Sequence, residues 1–380
     1  MNFALLALAV GTFALGIAEF AMMGILGNVA DAFNITISEA GHFISAYSVG
    51  VAIGAPGLLL LRRWSLKSVM VLLSSIIAIG NAAAALSPDY TTFLISRFVA
   101  GLPHGAFFGA GAIVCARLAS KGGGASAVAI MVGGMTIANV IGVPCATLVS
   151  ELMSWRLAFA IVALFGVLAY FGTRIYLPEL EPLPDTGLKG QFRFLAKAQP
   201  WLIYAGVFFG QAGVYTYFSY IEPIMTDLSG FSGAAMTYIM MIAGLGMVVG
   251  NIVAGKLADR FSASLVTAWI AVLIVIVMPL IYLSVDYKLP MPILTFIATG
   301  CLFGLGGPLQ YIIVRYAKGG EMLGGAGIQI AFNVSNAMAA YLGGLVISKG
   351  FGVASTALVG VPCALVAAVA LFTLHYKYKD

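Results

Sequence analysis

The chain has 380 residues, of which 61% are hydrophobic and only 9% are charged, and its mean hydropathy is +1.04. Because soluble domains carry about 25% charged residues, a water-soluble globular fold is excluded. The apolar runs are continuous and do not alternate with period two, which excludes a transmembrane β-barrel. The composition therefore predicts an all-α polytopic membrane protein, and the 46 glycines are typical of helices that pack closely in lipid.

The basic residues and the cysteines indicate no further partner or cofactor. The net charge of +5 is explained by the loops between the apolar runs, so we expect no nucleic acid. The four cysteines lie singly in apolar runs without metal-ligand spacing, and we expect buried thiols and no metal. The run Gly250–Leu257 has phosphate-loop spacing, but Leu257 stands where Ser or Thr would reach magnesium. We predict neither an enzyme nor a cofactor-binding protein.

The apolar residues group into twelve runs, each long enough to cross a bilayer as a helix, which takes about 20 residues. The runs are centred near Ala14, Val49, Ile77, His104, Ile137, Ala163, Gly210, Gly246, Val272, Phe303, Asn333 and Val361. A segment rich in proline and acidic residues separates the sixth run from the seventh. We therefore predict an N-terminal six-helix half (1–177), a central loop (178–198) and a C-terminal six-helix half (199–380).

The distribution of Lys and Arg predicts the orientation in the membrane. Fifteen of these residues lie in the even-numbered connections and the C-terminal tail, and three lie in the odd-numbered connections. Short loops rich in Lys and Arg stay in the cytoplasm. We therefore expect both termini and the central loop on the cytoplasmic side. We also predict a monomer surrounded by lipid in a bacterial inner membrane.

The two halves resemble each other in sequence. Leu61–Ser65 follows the second run, and Ala258–Ser262 follows the eighth at an offset of 197 residues. Gly101–Leu102 in the fourth run corresponds to Gly304–Leu305 in the tenth. Membrane carriers built from such repeats hold their substrate near the midplane, where the repeats meet. The repeat therefore predicts a site between the halves.

Two charged residues lie deep inside predicted spans. Glu19 lies about seven residues from the outer end of the first span, roughly 10 Å deep, and Arg97 lies at a similar depth in the fourth. A charge at this depth costs a few kcal/mol and usually faces a bundle interior or an aqueous cavity. We therefore predict that Glu19 and Arg97 couple transport to protons. The alternative is a static ion pair that only joins two helices.

Uncharged polar residues in several spans are candidate substrate ligands. His104 lies seven residues after Arg97, hence on the same helix face, and can carry a proton or bind a hydroxyl group. The other candidates are Asn139, Gln211, Tyr215, Gln310, Gln329, Asn333 and Asn336, of which the last three form one stripe on the eleventh span. Neutral amides suit a polyhydroxylated or amphiphilic small molecule. The alternative is that these side chains only hydrogen-bond neighbouring helices.

At these residues the chain resembles the major facilitator superfamily, in its twelve-helix drug:proton antiporter branch. The resemblance is carried by Gly11–Leu26, Gly101–Gly109, Gly134–Pro144, Ser154–Arg156 and Ala317–Asn333, and it spans nearly the whole chain. It implies a secondary active transporter that exports small solutes by proton-driven alternating access. It also implies that the family's span-one acid is Glu19 and its span-four arginine is Arg97.

Two family motifs depart from their usual pattern. In the antiporter motif at Gly134–Pro144, Val143 stands where the family has glycine before the proline. The gating motif is complete in the second half, at Gly255, Asp259 and Arg260, but its first-half copy has Arg62 where aspartate is usual. We therefore expect an asymmetric gate. Uptake or uniport of a small neutral solute and a non-transporting membrane sensor are the alternative functions.

Overall fold

The computed structural model describes residues 3–61, 63–118, 124–181, 192–317 and 321–378, and the regular structure in these ranges is helical. The α-helices are α1 (Phe3–Gly24), α2 (Leu26–Phe33), α3 (Ile37–Gly57), α4 (Leu66–Leu86), α5 (Tyr90–Leu118), α6 (Gly124–Ile137), α7 (Val143–Leu152), α8 (Trp155–Tyr176), α9 (Ala198–Phe218), α10 (Met236–Arg260), α11 (Ala263–Ser284), α12 (Pro290–Tyr316), α13 (Glu321–Ser348) and α14 (Ser355–Tyr378). A π-helical segment, Ala138–Gly142, joins α6 to α7, and the short helical segments Ile221–Pro223 and Ile224–Leu228 follow α9.

The predicted all-α architecture of twelve spans is confirmed. The spans are α1, α3, α4, α5, the continuous α6–α7 unit, α8 and the six helices from α9 to α14. Ten of these units meet both the length and the hydropathy expected of a membrane-crossing helix. The other two, α3 and α9, are long enough at 21 residues each. Their hydropathy is lower because they carry polar side chains such as Tyr47, Ser48 and Gln211, all of which are buried in protein.

Some of the basic residues counted in the connections and the tail, and part of the predicted central loop, lie outside the described ranges. They are Arg62, Lys121, Lys189, Lys318, Lys379 and residues 182–191 of the predicted central loop.

The third span of each half begins with the same local device. The hydroxyl of Ser65, before α4, accepts a hydrogen bond of 3.2 Å from the N–H of Ser68. The hydroxyl of Ser262, before α11, accepts one of 3.3 Å from the N–H of Leu265. Such an N-cap satisfies a backbone donor that the helix leaves unpaired and contributes about 1 kcal/mol. The two serines occupy equivalent positions of the sequence repeat, so the repeat extends to local structure.

Each set of six spans has its own internal packing. In the first set α4 packs on α5 and α8, and α1 packs on α6 and α8. In the second set α10 packs on α12, and α14 packs on both α9 and α11. Glycine permits the closest approaches, as between α3 and α5, where a Cβ on Gly54 would overlap the carbonyl oxygen of Leu102. Small residues bring helix backbones together in lipid, where apolar burial adds little.

The two sets of spans meet near the face of the bundle opposite the chain termini, which we call the loop face. There α3 packs on α13, and α10 packs on α7 and the π-helical segment. The Ser38 hydroxyl donates a hydrogen bond of 2.7 Å to the carbonyl of Gly344. Gly244 lies so close to the carbonyl of Asn139 that any side chain would overlap it. The two halves are therefore closed against each other at the loop face.

Candidate functional site

Glu19 is enclosed by protein on α1. From Gly11 to Gly24 nearly every residue of this helix is buried, so the carboxyl group reaches neither lipid nor loop water. The residue is 2% exposed, and neither carboxyl oxygen has a hydrogen-bond partner among the described residues. His104 Nε2 of α5 lies 3.7 Å from Glu19 Oε2, beyond hydrogen-bond distance. A buried polar group without a partner is costly, so its retention points to a function.

His104 connects Glu19 to a third helix. Its Nδ1 forms a hydrogen bond of 2.9 Å with the hydroxyl of Tyr47 on α3, and its ring stacks on Phe108 one turn further along α5, with centroids 5.4 Å apart. The two contacts hold the ring so that Nε2 faces the carboxyl group. The proton on an imidazole can occupy either nitrogen, and when it is on Nε2 the Tyr47 hydroxyl donates to Nδ1 while the Nε2–H faces the Glu19 carboxyl group.

Arg97 is fully buried and is held by aromatic rings. Its guanidinium carbon lies 4.4 Å from the ring centroid of Tyr47 and 5.4 Å from that of Phe159. No guanidinium nitrogen has a hydrogen-bond partner within the described part of the chain. Cation–π contact contributes about 2 kcal/mol when the cation is desolvated, which offsets part of the burial cost. Arg97 thus contacts the same tyrosine as His104, and the four side chains form a continuous series from Glu19 to Arg97.

Tyr47 was not among the residues predicted from the sequence. A single tyrosine in an apolar span is usually a packing residue or an interfacial anchor. The polar residues His42, Ser45 and Ser48 recur every three residues on one face of α3, and Tyr47 does not share that spacing. Its importance comes from α3 and α5, which pack closely and bring the ring between Arg97 and His104.

The amides of the second half are partly paired with backbone. Gln211 Nε2 donates a hydrogen bond of 2.9 Å to the carbonyl of Leu302, and Asn333 Nδ2 donates one of 2.9 Å to the carbonyl of Gln329. Some buried atoms of the predicted ligands have no partner among the described residues: the side-chain oxygens of Asn139, Gln211, Gln310 and Asn333, the Tyr215 hydroxyl, and both polar atoms of Asn336. These groups combine structural hydrogen bonds with free acceptor and donor capacity.

Part of this polar set faces Glu19 across the junction of the halves. Tyr215 on α9 lies within electrostatic range of the Glu19 carboxyl group, and its ring packs edge-on against Phe332 at 5.5 Å. The ring of Phe20, next to Glu19, lies 6.4 Å from Phe218 and 5.9 Å from the ring of Phe303. Both halves therefore contribute side chains around the same level of α1.

Other predicted residues lie nearer the chain termini. Gln310 is six residues from the end of α12, and Gln329 is eight residues into α13. Because a helix rises about 1.5 Å per residue, both lie nearer this end of the bundle than Glu19 does. Gln310 lies beside Gly325 on the facing helix. Both residues lie toward the face of the bundle that carries the chain termini, which we call the terminal face.

The predicted gating motif lies at the terminal face. Gly255 and Asp259 of α10 line a cavity of about 410 Å³ together with Tyr311 and Arg315 of α12. Arg260 is exposed, and its guanidinium carbon lies 5.5 Å from the ring centroid of Phe261. The structure therefore brings together an acid and a base from two helices there, some distance from Glu19.

The side chains around Glu19 include two titratable groups, its own carboxyl group and the His104 imidazole. Burial favours the neutral form of a carboxyl group, and a nearby cation favours the ionised form. A change in the burial of the carboxyl group or in its distance from the cation therefore changes its affinity for a proton. In the described ranges no group of three or more His, Cys, Asp and Glu side chains could hold a metal ion.

The twelve spans of the described residues, in two sets of six with polar side chains buried where the sets meet, define a secondary transporter of the kind built from repeats. Residues 8–327 match the family model of the Major Facilitator Superfamily. The chain belongs to this superfamily, and the resemblance found in its motifs is confirmed at that level.

Named relatives match the chain over most of its length. The chain is 42% identical over 382 residues to "Putative transporter AraJ" of Escherichia coli (strain K12), covering 100% of this chain and 96% of that protein. It is 27% identical over 335 residues to the "Chloramphenicol resistance protein" of Streptomyces lividans, covering 87% of this chain and 85% of that protein. Among solved structures, the inward-facing, unoccupied bacterial homologue of the human lysosomal transporter Spinster superposes with a TM-score of 0.76 at 16% identity. The superposition covers 99% of this chain and 97% of the Spinster homologue, so the two proteins share a fold.

Proposed function

We propose that this protein exports small neutral or amphiphilic solutes, sugar-like or drug-like, in exchange for protons. The observation that carries the proposal is the Glu19 carboxyl group, which is buried at the junction of the halves without a hydrogen-bond partner among the described residues. A site between two halves that alternately open to each side can take up a proton on one side and release it on the other.

The orientation follows from the charge distribution. With fifteen basic residues in the connections and tail on one side and three on the other, the terminal face is cytoplasmic and the loop face is outside. An all-helical bundle belongs in the bacterial inner membrane, since outer-membrane proteins are barrels. In this orientation the described conformation is closed toward the outside.

Glu19 and Arg97 form the proton-coupling pair in this mechanism. Arg97 is held by Tyr47 and Phe159 and forms no ion pair with Glu19 within the described residues. Its charge nonetheless acts on the carboxyl group through a medium of low dielectric constant. When the halves rearrange, a change in the distance between the two charges or in the wetting of Glu19 changes its proton affinity.

The substrate is bound by the uncharged polar groups. His104, Asn139, Gln211, Tyr215, Gln310, Gln329, Asn333 and Asn336 provide hydroxyl, amide and imidazole groups without a fixed charge. Groups of this kind bind hydroxyls and carbonyls of a neutral solute, while the neighbouring aromatic rings bind its apolar part. Gly255, Asp259 and Arg260 act at the cytoplasmic gate. Similarity to a chloramphenicol resistance protein supports export over uptake.

The test uses purified protein in liposomes with an imposed pH gradient. Radiolabelled chloramphenicol serves as the amphiphilic probe and a neutral pentose as the sugar-like probe, and a pH-sensitive dye reports proton movement. We expect solute to move against the proton flux, and we expect Glu19→Gln to abolish gradient-driven transport while the protein still inserts and purifies normally. Solute movement in the direction of the protons would indicate uptake, and Glu19→Gln transport with unchanged gradient dependence would show that coupling lies elsewhere.

A further inference from the structure

A second carboxyl group joins the two halves at the loop face. Glu222 lies in the short helical segment Ile221–Pro223, outside the spanning helices and just after α9. Its Oε2 accepts a hydrogen bond of 2.7 Å from the backbone N–H of Gly27 in the first turn of α2. The contact therefore connects the C-terminal half to the N-terminal half where they are closed against each other.

Gly27 leaves the space in which the Glu222 carboxyl group makes this contact. A Cβ at that position would lie 2.6 Å from Oε2 of Glu222, closer than atoms can approach. The N–H of Gly27 is one of the donors that the start of a helix leaves unpaired, and the carboxyl group caps it from the other half. The N-terminal end of α2 also carries the positive end of the helix dipole, which favours an anion.

The surroundings of Glu222 are otherwise acidic. The charged groups that act on it are Asp31 on α2, Glu151 on α7 and Asp227 in Ile224–Leu228. Two of these acids come from the opposite half and face Glu222 across the junction. Glu222 is half-buried, and this burial, opposed by the Gly27 N–H and reinforced by the three carboxylates, raises the pKa of Glu222 to about 7. The influence of Asp31 and Glu151 depends on contact between the halves, whereas Asp227 belongs to the same half as Glu222.

We propose that Glu222 is a second proton-binding residue of the transport cycle, which takes up a proton as the loop face closes and loses it as the loop face opens. Separation of the halves exposes the carboxyl group to water and moves it away from Asp31 and Glu151. The ionised form is then penalised less, because of the three acids only Asp227 stays near the carboxyl group. A protonated Glu222 can still accept the Gly27 hydrogen bond through its carbonyl oxygen, so the junction is complete in the neutral form.

The sign of the pH dependence follows from the two states. A solvated glutamate has a pKa near 4.3, and the same group in the closed junction has a pKa of about 7. The closed state is therefore fully stabilised below about pH 4.3, and the closed-to-open ratio falls by up to about tenfold per pH unit until about pH 7. Low pH on the side of the loop face favours closure. The role of Glu222 in the transport cycle rests on the proposed proton-coupled export. The pH dependence of loop-face closure does not rest on it.

The experiment measures the distance between the halves in the full chain in lipid nanodiscs. Ala32 on α2 and Ala234 on the opposite half are both exposed, and cysteines there carry spin labels in a background without the native cysteines. The measurement is made in the Glu19→Gln chain, so that the central carboxyl group cannot contribute. We expect a closed-to-open ratio that falls at least tenfold between about pH 5 and about pH 7. Added Glu222→Gln should reduce that change to less than about threefold.

Control variants separate proton binding from a structural role. Glu39→Gln removes an exposed acid of the same face, whose carboxylate accepts hydrogen bonds from Thr36 within its own half, and should leave the pH dependence in place. Gly27→Ala displaces the Glu222 carboxyl group from the junction while leaving the acid itself in place. This variant should also flatten the pH dependence. A flat profile in the Glu19→Gln chain, or an unchanged slope after Glu222→Gln, would overturn the proposal. Because no solute is present, failure of the export assay leaves these results unaffected.

Discussion

The hydroxyl of Tyr47 lies 2.9 Å from Nδ1 of His104, and together they connect the buried charges of α1 and α5. The Tyr47 ring lies beneath Arg97, and the other side of the His104 ring faces Glu19. Tyr47 on α3 and His104 on α5 therefore link Arg97 to Glu19 by contact. The orientation of the His104 imidazole therefore depends on Tyr47, which contributes a hydroxyl group and no charge.

Removal of the Tyr47 hydroxyl should slow transport without abolishing it. Tyr47→Phe keeps the ring beneath Arg97 but leaves His104 Nδ1 without its partner, which corresponds to about 1 kcal/mol, or about fivefold in transport rate. The rate is measured in proteoliposomes. Tyr90→Phe is the matched control, since its hydroxyl bonds His42 Nδ1 at 2.7 Å near the loop face. A loss in Tyr90→Phe as large as that in Tyr47→Phe would show that the effect is structural.

His104→Gln tests whether the ring binds solute or carries the proton. Glutamine keeps a hydrogen-bonding group but cannot titrate near neutral pH. We expect a higher KM for the transported solute and an unchanged pH profile. A shifted pH optimum would assign the coupling proton to the ring and not to Glu19.

Substitution of Arg97 should shift the pH dependence of transport. Arg97→Gln removes a buried cation that favours the ionised form of Glu19, so proton release requires a higher pH and activity at neutral pH falls. Activity should return in part when the pH on both sides of the membrane is raised together. Arg97→Lys keeps the charge but loses the planar stack on Tyr47, so its defect should be milder.

The control for Arg97 is a second partly buried arginine of the same half. Arg156 donates a hydrogen bond of 3.2 Å to the carbonyl of Ala85 and lies 4.3 Å from the Trp155 ring centroid. Arg156→Gln should lower stability and leave the pH profile in place. A wild-type pH profile in Arg97→Gln would contradict the proposed coupling of α1 to α5.

A side chain at Gly244 should hold the loop face open. The Cβ of Gly244→Ala would overlap the Asn139 carbonyl across the junction of the halves, so the closed state is destabilised relative to the open one. We expect faster labelling by a membrane-impermeant thiol reagent of a cysteine at Ala337, which is buried on α13 where its carbonyl accepts a hydrogen bond from Ser45 of the other half. Gly133→Ala is the control, because a Cβ there meets nothing within 4 Å. Equal labelling rates in the two variants would show that the contact does not limit opening.

The orientation is tested with two single cysteines in a cysteine-free background. A cysteine at Asp185, in the central loop and outside the described residues, should react with an impermeant thiol reagent only from the cytoplasmic side. A cysteine at Ala234 should react only from outside, since it lies on the loop face. Labelling of Asp185→Cys in intact cells would reverse the assignment.

The sequence by itself determined the helices, their number and the residues that stand out in them. Continuous apolar runs leave a membrane-spanning backbone no alternative but helix, since each N–H and C=O needs a partner inside the span. The cost of burying charge singles out Glu19 and Arg97 in the same way, because any carboxylate or guanidinium at that depth requires an explanation. These are properties of single segments, which can be read without knowing their neighbours.

Only the tertiary structure decided which of these residues meet. Tyr47 joins His104 to Arg97 because glycines let α3 approach α5, and nothing in the pattern of α3 distinguishes that tyrosine from a packing residue. Glu222 reaches Gly27 from 195 positions away in the chain. Contacts between distant segments depend on how helices rotate and cross, which small differences in packing decide, and in lipid no hydrophobic stripe marks the contacting face in advance.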